Sequence, residues 1–464
     1  MAFAQFGCVK SMKEVKTSDL AEIRPESWTS LENNSSTLLR GKEKYWVKSF
    51  KNKWLDEAIY TAWSSNSDLI SKAEMTLAEG EQATIAGASL LPQASIGLSG
   101  SRSKRNLIGF NFPNGSTSFT SESFTSGFNL SWELDLWGKL RDQRNSAKKR
   151  FELAQVEYEG ARLSLAGQVA RMWFAITESD QQINLARKMT FTFEKNKEFV
   201  ANRFANGLAT SLEHDLATNA LAGAKATELK RLRIKNQLTR EYESLLGQYP
   251  QGNDDRNFSD KLPGLSLPHF PPTPAQAMLA RPDLQAALLQ LEASGLDLSA
   301  AKMSLLPSIS FSGGPGSRAE EFGDLLDQKF RTWEVSGSFT QPIFNAGRLR
   351  ANIRRNKALL NAAEARYRFI ALRAFTEIET LLTNELFLQE EETHLKNAAN
   401  SASKAAQTSW DRYQRGLLDI FDTLDSQRRA FEAESRLLIL SKERVFNRIQ
   451  LFLAFGTPAL PYEP

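Results

Sequence analysis

The sequence predicts a mainly helical protein that carries four β-strands and consists of two tandem copies of one repeat. Three observations support this prediction. Short motifs recur along the chain at a constant interval, four segments alternate between apolar and polar residues, and long segments without proline repeat apolar residues every three or four positions. The 464 residues suffice for two or three domains of ordinary size.

The internal duplication is visible in motifs that pair between the two halves. Gly138-Lys-Leu-Arg matches Gly347-Arg-Leu-Arg, and Arg-Phe-Ala-Asn-Gly207-Leu matches Arg-Tyr-Gln-Arg-Gly416-Leu at the same interval. A connection rich in proline, glycine and aspartate separates the halves. The predicted organisation is an N-terminal segment at 1–54, a first repeat at 55–247, a linker at 248–274, a second repeat at 275–456 and a tail at 457–464.

Each repeat begins with a helical stretch, at about 55–90 and about 275–305. Both stretches end at Leu-Leu-Pro, with the prolines at Pro92 and Pro307. A residue before proline is pushed towards extended geometry, so a helix is expected to stop there.

Two strands follow in each repeat. Apolar residues occupy mainly the even positions of Phe124–Leu136 and mainly the odd positions of Trp333–Ile343, and shorter alternations begin at Ala94 and Ile309. A soluble sheet over a core gives the same pattern, but the rest of the chain is helical and offers no facing layer. We therefore favour outer-membrane strands. Four strands cannot close a barrel, and lipid does not tolerate open edges, so several chains must share one.

Long helices follow the strands. Proline is absent from 114–249 and from 343–457, and the stretch from Gly138 to Gly207 corresponds to a helix on the order of 100 Å. Apolar residues continue at helical spacing after Gly207, so an antiparallel return helix is expected. Gly207 and Gly416 are therefore predicted to mark hairpin turns in which the backbone is left-handed.

Composition excludes several classes of function. Charged residues nearly cancel, to a net +4, and form no basic block, so no nucleic-acid partner is expected. The single cysteine excludes a disulfide within the chain and a cysteine-based zinc site, and the three scattered histidines lack ligand spacing. We expect no metal, no cofactor and, since no apolar run reaches about 18 residues, no transmembrane helix.

The N-terminus carries one candidate modification site. Met1 to Cys8 is too short for a secretory signal, so either the signal is lost or the first residue is internal to a longer precursor. Gly7-Cys8 resembles the end of a bacterial lipobox, in which the cysteine is acylated. Cys8 is thus either a lipid anchor or a free cysteine in a tail.

In combination, these features resemble the TolC-like outer membrane efflux proteins, the outer-membrane factors of bacterial tripartite export systems. The resemblance covers about 55–456 and depends on the repeats, the strand pairs and the Arg-Phe/Tyr-x-x-Gly-Leu turns. It implies a homotrimer in which four strands per chain form a twelve-stranded barrel in outer-membrane lipid. A long α-helical barrel would continue it through the periplasm, with an equatorial belt built from the termini and the linker.

The resemblance also implies a gate at the second hairpin turn. The family motif Tyr-x-x-Gly-x-x-x-x-x-Asp-x-x-Asp matches Tyr413, Gly416, Asp422 and Asp425. In the family the two aspartates face the pore at its narrow end, so a trimer would carry two stacked rings of carboxylates, which favour cations. Without the family match, a solvated acidic helix face would explain them.

Further residues at the turns are assigned roles by the same resemblance. Gly207, Leu208, Gly416 and Leu417 would dock a periplasmic adaptor, also called a membrane fusion protein. Glu213, Tyr413 and Arg412 are candidates for a network that holds the closed tip. The family has an arginine where this chain has Leu418, so the closed state is expected to be held differently or less tightly.

The sequence therefore predicts a passive exit duct in the outer membrane, and not an enzyme, because it contains no nucleotide-binding loop and no nucleophile–base pair. An inner-membrane transporter of RND or ABC type, joined through the adaptor, would supply energy and choose the substrate. The alternative is a soluble coiled-coil scaffold, which explains the helices and leaves the strands unexplained.

Overall fold

A computed structural model describes residues 28–29, 44–106, 118–252, 258, 261–265 and 273–461, so Cys8 lies outside the described residues. Its helices and strands agree in order with the two predicted repeats. The first repeat contains α1 (Lys53–Ser65), α2 (Ser67–Ala88), β1 (Gln93–Asn106), β2 (Ser118–Leu134), α3 (Lys139–Ala205) and α4 (Ser211–Leu245). The second contains α5 (Pro274–Ala280), α6 (Pro282–Met303), β3 (Ser308–Ala319), β4 (Arg331–Thr340), α7 (Arg348–Gln414) and α8 (Ile420–Ala454).

The four strands form one antiparallel sheet in the order β1-β2-β3-β4. Residues that lie directly opposite each other share a face, and the register pairs apolar with apolar: Ile96 with Phe128, Trp132 with Phe311, and Ile309 with Phe339. Serines pair on the other face. The alternation predicted from the sequence is therefore confirmed as one apolar and one polar face.

The two hairpin turns have the geometry expected of glycine. Gly207 and Gly416 have φ of 73° and 71°, in the left-handed region. The N–H of Leu208 donates to the carbonyl of Arg203 at 2.8 Å, and the N–H of Leu417 donates to that of Arg412 at 2.9 Å. These bonds close a Schellman motif at the end of α3 and of α7.

The helical stretches that open the repeats differ from the prediction, since each consists of two helices. The first breaks at Asn66 and the second at Arg281. Both residues bind the end of a return helix: Asn66 Nδ2 donates to the carbonyl of Leu245 at 2.9 Å, and Arg281 Nη1 donates to that of Ala454 at 2.8 Å. Each break thus satisfies a carbonyl that its helix terminus leaves unpaired.

The described residues divide into two compact units. The first comprises the described parts of Met1–Ala73, Val156–Gln285 and Arg368–Pro464, and the second comprises those of Glu74–Gln155 and Ala286–Tyr367, including the sheet. The core of the first unit centres on fully buried aromatic side chains, among them Trp46 and Trp173. The Trp46 ring stacks on Phe452, and the backbone N–H of Trp46 donates to the backbone carbonyl of Pro458 at 3.1 Å.

A buried ionic network joins α7 to α8 within the first unit. Glu385 Oε1 accepts from Arg448 Nη2 at 2.6 Å, and its Oε2 accepts from Asn447 Nδ2 at 3.2 Å. Arg444 binds Glu385 and Glu392. Because ionised groups out of water need partners, the network fixes how these helices face each other.

No helix among the described residues is apolar enough over a sufficient length to cross a membrane.

Candidate functional site

The sheet of the second unit exposes its apolar face. Ile96 is 85 % exposed, Trp333 80 % and Phe339 67 %. The strands at the two edges, β1 and β4, are exposed at every residue, and no described strand pairs with their outer sides. An exposed apolar face and unpaired strand edges both favour association with other molecules.

We call the two turns, 206–210 and 415–419, the tip; both lie in the first unit. Leu208 is 67 % exposed and Leu417 is 71 % exposed. A Cβ added to Gly207 or Gly416 would meet nothing within 4 Å. The tip thus presents two small surfaces of the same build, each an exposed leucine beside a glycine.

Asp422 and Asp425 lie at the beginning of α8. Asp419 caps this helix, because its carboxylate accepts from the N–H of Phe421. Asp422 lies in the first turn and is exposed, whereas Asp425 is half-buried. Both carboxylates are near a helix N-terminus, where the helix dipole favours negative charge.

Two arginines pair with Asp425. Its Oδ1 accepts from Arg428 Nη2 at 2.5 Å, and its Oδ2 accepts from Arg429 Nε at 2.6 Å. Hydrogen bonds from Arg428 and then from Arg429 lower the pKa of Asp425 below 3.8. These arginines were not predicted from the sequence, although they stand three and four residues after the aspartate, where helical side chains meet.

Tyr413 is buried at the tip and contacts Arg203, a residue that the sequence analysis did not select. The Arg203 guanidinium lies 5.5 Å from the centroid of the Tyr413 ring, and its Nη2 donates to the carbonyl of Leu208 at 3.1 Å. Arg203 occupies in the first repeat the position that Arg412 occupies in the second, and this equivalence was the signal available in the sequence. Arg412 itself is exposed.

Glu213 has two neighbours at the tip. It forms a capping box with Thr210 at the start of α4, in which each side chain binds the backbone N–H of the other. Burial raises the pKa of Tyr413, and the negative charge of Glu213 raises it further. Leu418 is half-buried.

Above the tip, α3 contacts both α7 and α8. The Phe199 ring lies 5.5 Å from that of Trp410 and 6.0 Å from that of Tyr413, measured between centroids. The buried side chains of Asn196 and Gln427 share a hydrogen bond of 2.6 Å. A movement of α7 and α8 away from α3 must break these contacts.

Comparison with known proteins gives one consistent result. The model of the outer membrane efflux protein family matches residues 58–247 and again 273–457. Outer membrane protein OprJ of Pseudomonas aeruginosa is 29 % identical over 343 residues, which cover 74 % of this chain and 72 % of that protein. The pyoverdine export outer membrane protein OpmQ of Pseudomonas putida is 27 % identical over 441 residues, covering 93 % and 91 %.

A solved structure has the same fold. The Campylobacter jejuni CmeC outer membrane channel superimposes with a TM-score of 0.83 at 24 % identity, and the match covers 90 % of this chain and 89 % of that one. The family model spans both halves of the chain, OprJ and OpmQ are outer membrane proteins, and CmeC is an outer membrane channel. The chain is therefore a member of the outer membrane efflux protein family.

Proposed function

We propose that three copies of this chain form a passive exit duct through the outer membrane. The observation that carries the proposal is the four-stranded sheet with one apolar face and two open edges, β1 and β4. If β1 of each copy pairs with β4 of the next, twelve strands close without an edge, and the apolar face lies against lipid. The repeated motifs and the double match of the family model support an internal duplication.

The long helices α3, α4, α7 and α8 would continue the barrel into the periplasm. No part of this proposal requires the chain itself to supply energy. A periplasmic adaptor would dock at Gly207-Leu208 and Gly416-Leu417, where exposed leucines offer apolar contacts. An inner-membrane transporter of RND or ABC type would choose the cargo. Acylated Cys8 would anchor the chain to the membrane in addition to the barrel.

The gate is proposed at Asp422 and Asp425. In a trimer, each of the two aspartates would contribute three carboxylates around the pore. Because Asp425 is paired with Arg428 and Arg429, the charge of its three carboxylates would be largely neutralised. Asp422 would then supply most of the unpaired negative charge. Opening would move α7 and α8 relative to α3, and an adaptor that binds the open state more tightly would shift the population towards it.

The test uses the full-length protein purified in detergent. Electron microscopy should show a hollow particle with threefold symmetry, and planar bilayers that contain the protein should carry single-channel currents. A monomeric particle without conductance would reject the proposal. The alternative, a soluble coiled-coil scaffold, requires a particle that is stable and non-aggregated without detergent; it leaves the apolar sheet face uncovered.

A further inference from the structure

Three helices of the first unit line an open cavity of about 720 Å³. It is lined by α3 between Gln182 and Phe193, by α4 between Leu216 and Arg231, and by one face of α8. On α8 the lining residues Asp425, Arg428 and Glu432 recur every three or four positions, as residues on one helix face do. The volume lies within the range of about 300–1,000 Å³ that is typical of small-molecule sites.

Much of the cavity wall is apolar. Met189 and Phe193 of α3, Leu216 of α4, and Leu424 and Phe431 of α8 contribute to it. The rings of Phe193 and Phe431 meet edge to face, with centroids 6.2 Å apart. This wall suits a ligand that has an aromatic or branched aliphatic body.

The charged groups of the cavity do not balance. Arg428 binds both Asp425 and Glu432, and Arg429 also binds Asp425, so two guanidinium groups compensate the two carboxylates. Arg231 Nη2 donates to the neutral Ser435 Oγ at 3.2 Å, and Arg436 is exposed. Within the described part of the chain, neither Arg231 nor Arg436 forms an ion pair, although both line the cavity.

We propose that the cavity binds a small amphipathic organic anion, of the class of aromatic carboxylates. The carboxylate would pair with Arg231 and Arg436, since guanidinium groups match carboxylates in geometry as well as in charge. The ring would rest on Phe193, Phe431 and their apolar neighbours. Binding of this kind requires neither gating by Asp422 nor conduction, so it can be tested separately from the proposed duct.

The experiment compares two probes that share a ring and differ in the sign of their charge. The full-length protein is placed in lipid nanodiscs and titrated calorimetrically with 2-naphthoate or with 2-naphthylmethylammonium. We expect saturable binding of 2-naphthoate, with one site per chain, and at least about tenfold weaker binding of the ammonium probe.

Variants locate the site. Arg231→Gln and Arg436→Gln should each weaken 2-naphthoate binding by about tenfold or more, and Arg231→Lys should retain part of it. Arg233→Gln is the matched control, because Arg233 is exposed on the same helix and does not line the cavity. Circular dichroism verifies that each variant is folded. Equal binding of both probes, no saturable binding, or unchanged binding by both glutamine variants would overturn the proposal.

Discussion

Arg203 links two parts of the tip: its guanidinium lies over the ring of Tyr413, while its Nη2 binds the carbonyl of Leu208. We expect Arg203→Ala to loosen the tip by about 1–2 kcal/mol, the sum of a cation–π contact and a hydrogen bond. Hydrogen exchange should accelerate at 196–214, and the open probability in planar bilayers should rise. Arg412→Ala is the matched control, since Arg412 is exposed at the equivalent place of the other repeat; an equal effect of both variants would contradict the assignment.

The proposed gate predicts a loss of cation block. In the double variant Asp422→Ala, Asp425→Ala, the concentration of a trivalent cation that halves single-channel current from the tip side should rise at least about tenfold, because the carboxylates that bind it are gone. Asp215→Asn, an exposed aspartate of the first hairpin, should leave the block unchanged. The gate assignment fails if the double variant is blocked like the original protein.

The arginines beside Asp425 predict the opposite effect. Replacing Arg428 and Arg429 by glutamine removes the two cations that neutralise Asp425, and the block by trivalent cations should therefore strengthen. The same bilayer measurement tests this prediction. Arg415→Gln serves as control, because Arg415 is exposed in the second turn. Weaker block in the double glutamine variant would show that Asp425 does not face the cation.

The lowered pKa of Asp425 predicts how its ion pairs respond to pH. A carboxyl group whose pKa is lower in the folded protein stabilises the fold above its unfolded pKa, and that contribution disappears as the pH falls through the folded value. The folded value lies below 3.8. We expect hydrogen exchange at 425–432 to be slower in the original protein than in Asp425→Asn at the same pH, and we expect this difference to persist from pH 7 to pH 5. Its disappearance by pH 5 would exclude the ion pairs.

Two glycines with positive φ lie against a neighbouring backbone. A Cβ on Gly247 would lie 2.2 Å from the carbonyl oxygen of Ser65, and one on Gly456 would lie 2.3 Å from that of Ala280. Each change to alanine should cost about 3 kcal/mol or more, visible as a lower apparent melting temperature. Gly207→Ala and Gly416→Ala share the left-handed backbone but meet open space, so about 1 kcal/mol is expected. Equal losses in the two pairs would contradict the close approach.

Glu385 predicts a large effect far from the tip. Glu385→Ala leaves Arg444 with Glu392 alone and removes the carboxylate that Arg448 binds at 2.6 Å, so we expect destabilisation by about 3–5 kcal/mol. Thermal unfolding measures the loss. Glu390→Ala is the control on the same helix, because that side chain is 74 % exposed. If both variants melt alike, the buried network does not stabilise the fold.

The features that sequence predicted well are those with a local cause. Hairpin glycines, strand alternation and proline-bounded helices depend on backbone geometry and on side-chain periodicity, which adjacent residues determine. The turns at Gly207 and Gly416 and the apolar sheet face were therefore predictable.

The features that sequence did not predict depend on distant partners. Asn66 and Arg281 bind the ends of α4 and α8, which are distant in sequence. The proline after Arg281 indicates a helix break there, but it does not indicate this contact. Arg412, and not Arg203, was predicted to belong to the tip network. The two arginines are equivalent in the two repeats, and the sequence does not show that Arg203 is the one that contacts Tyr413. The pairing of Asp425 was different, since Arg428 and Arg429 are close in sequence and could have been recognised.

The hydrogen bond from Trp46 to Pro458 has a consequence for biosynthesis. A chain is made from its amino end, so Trp46 emerges about 400 residues before its partners Phe452 and Pro458 exist. During that delay its indole and the aromatic residues around it are exposed to solvent. A nascent chain interrupted ahead of α8 is therefore left with an exposed apolar surface that a holding chaperone can recognise.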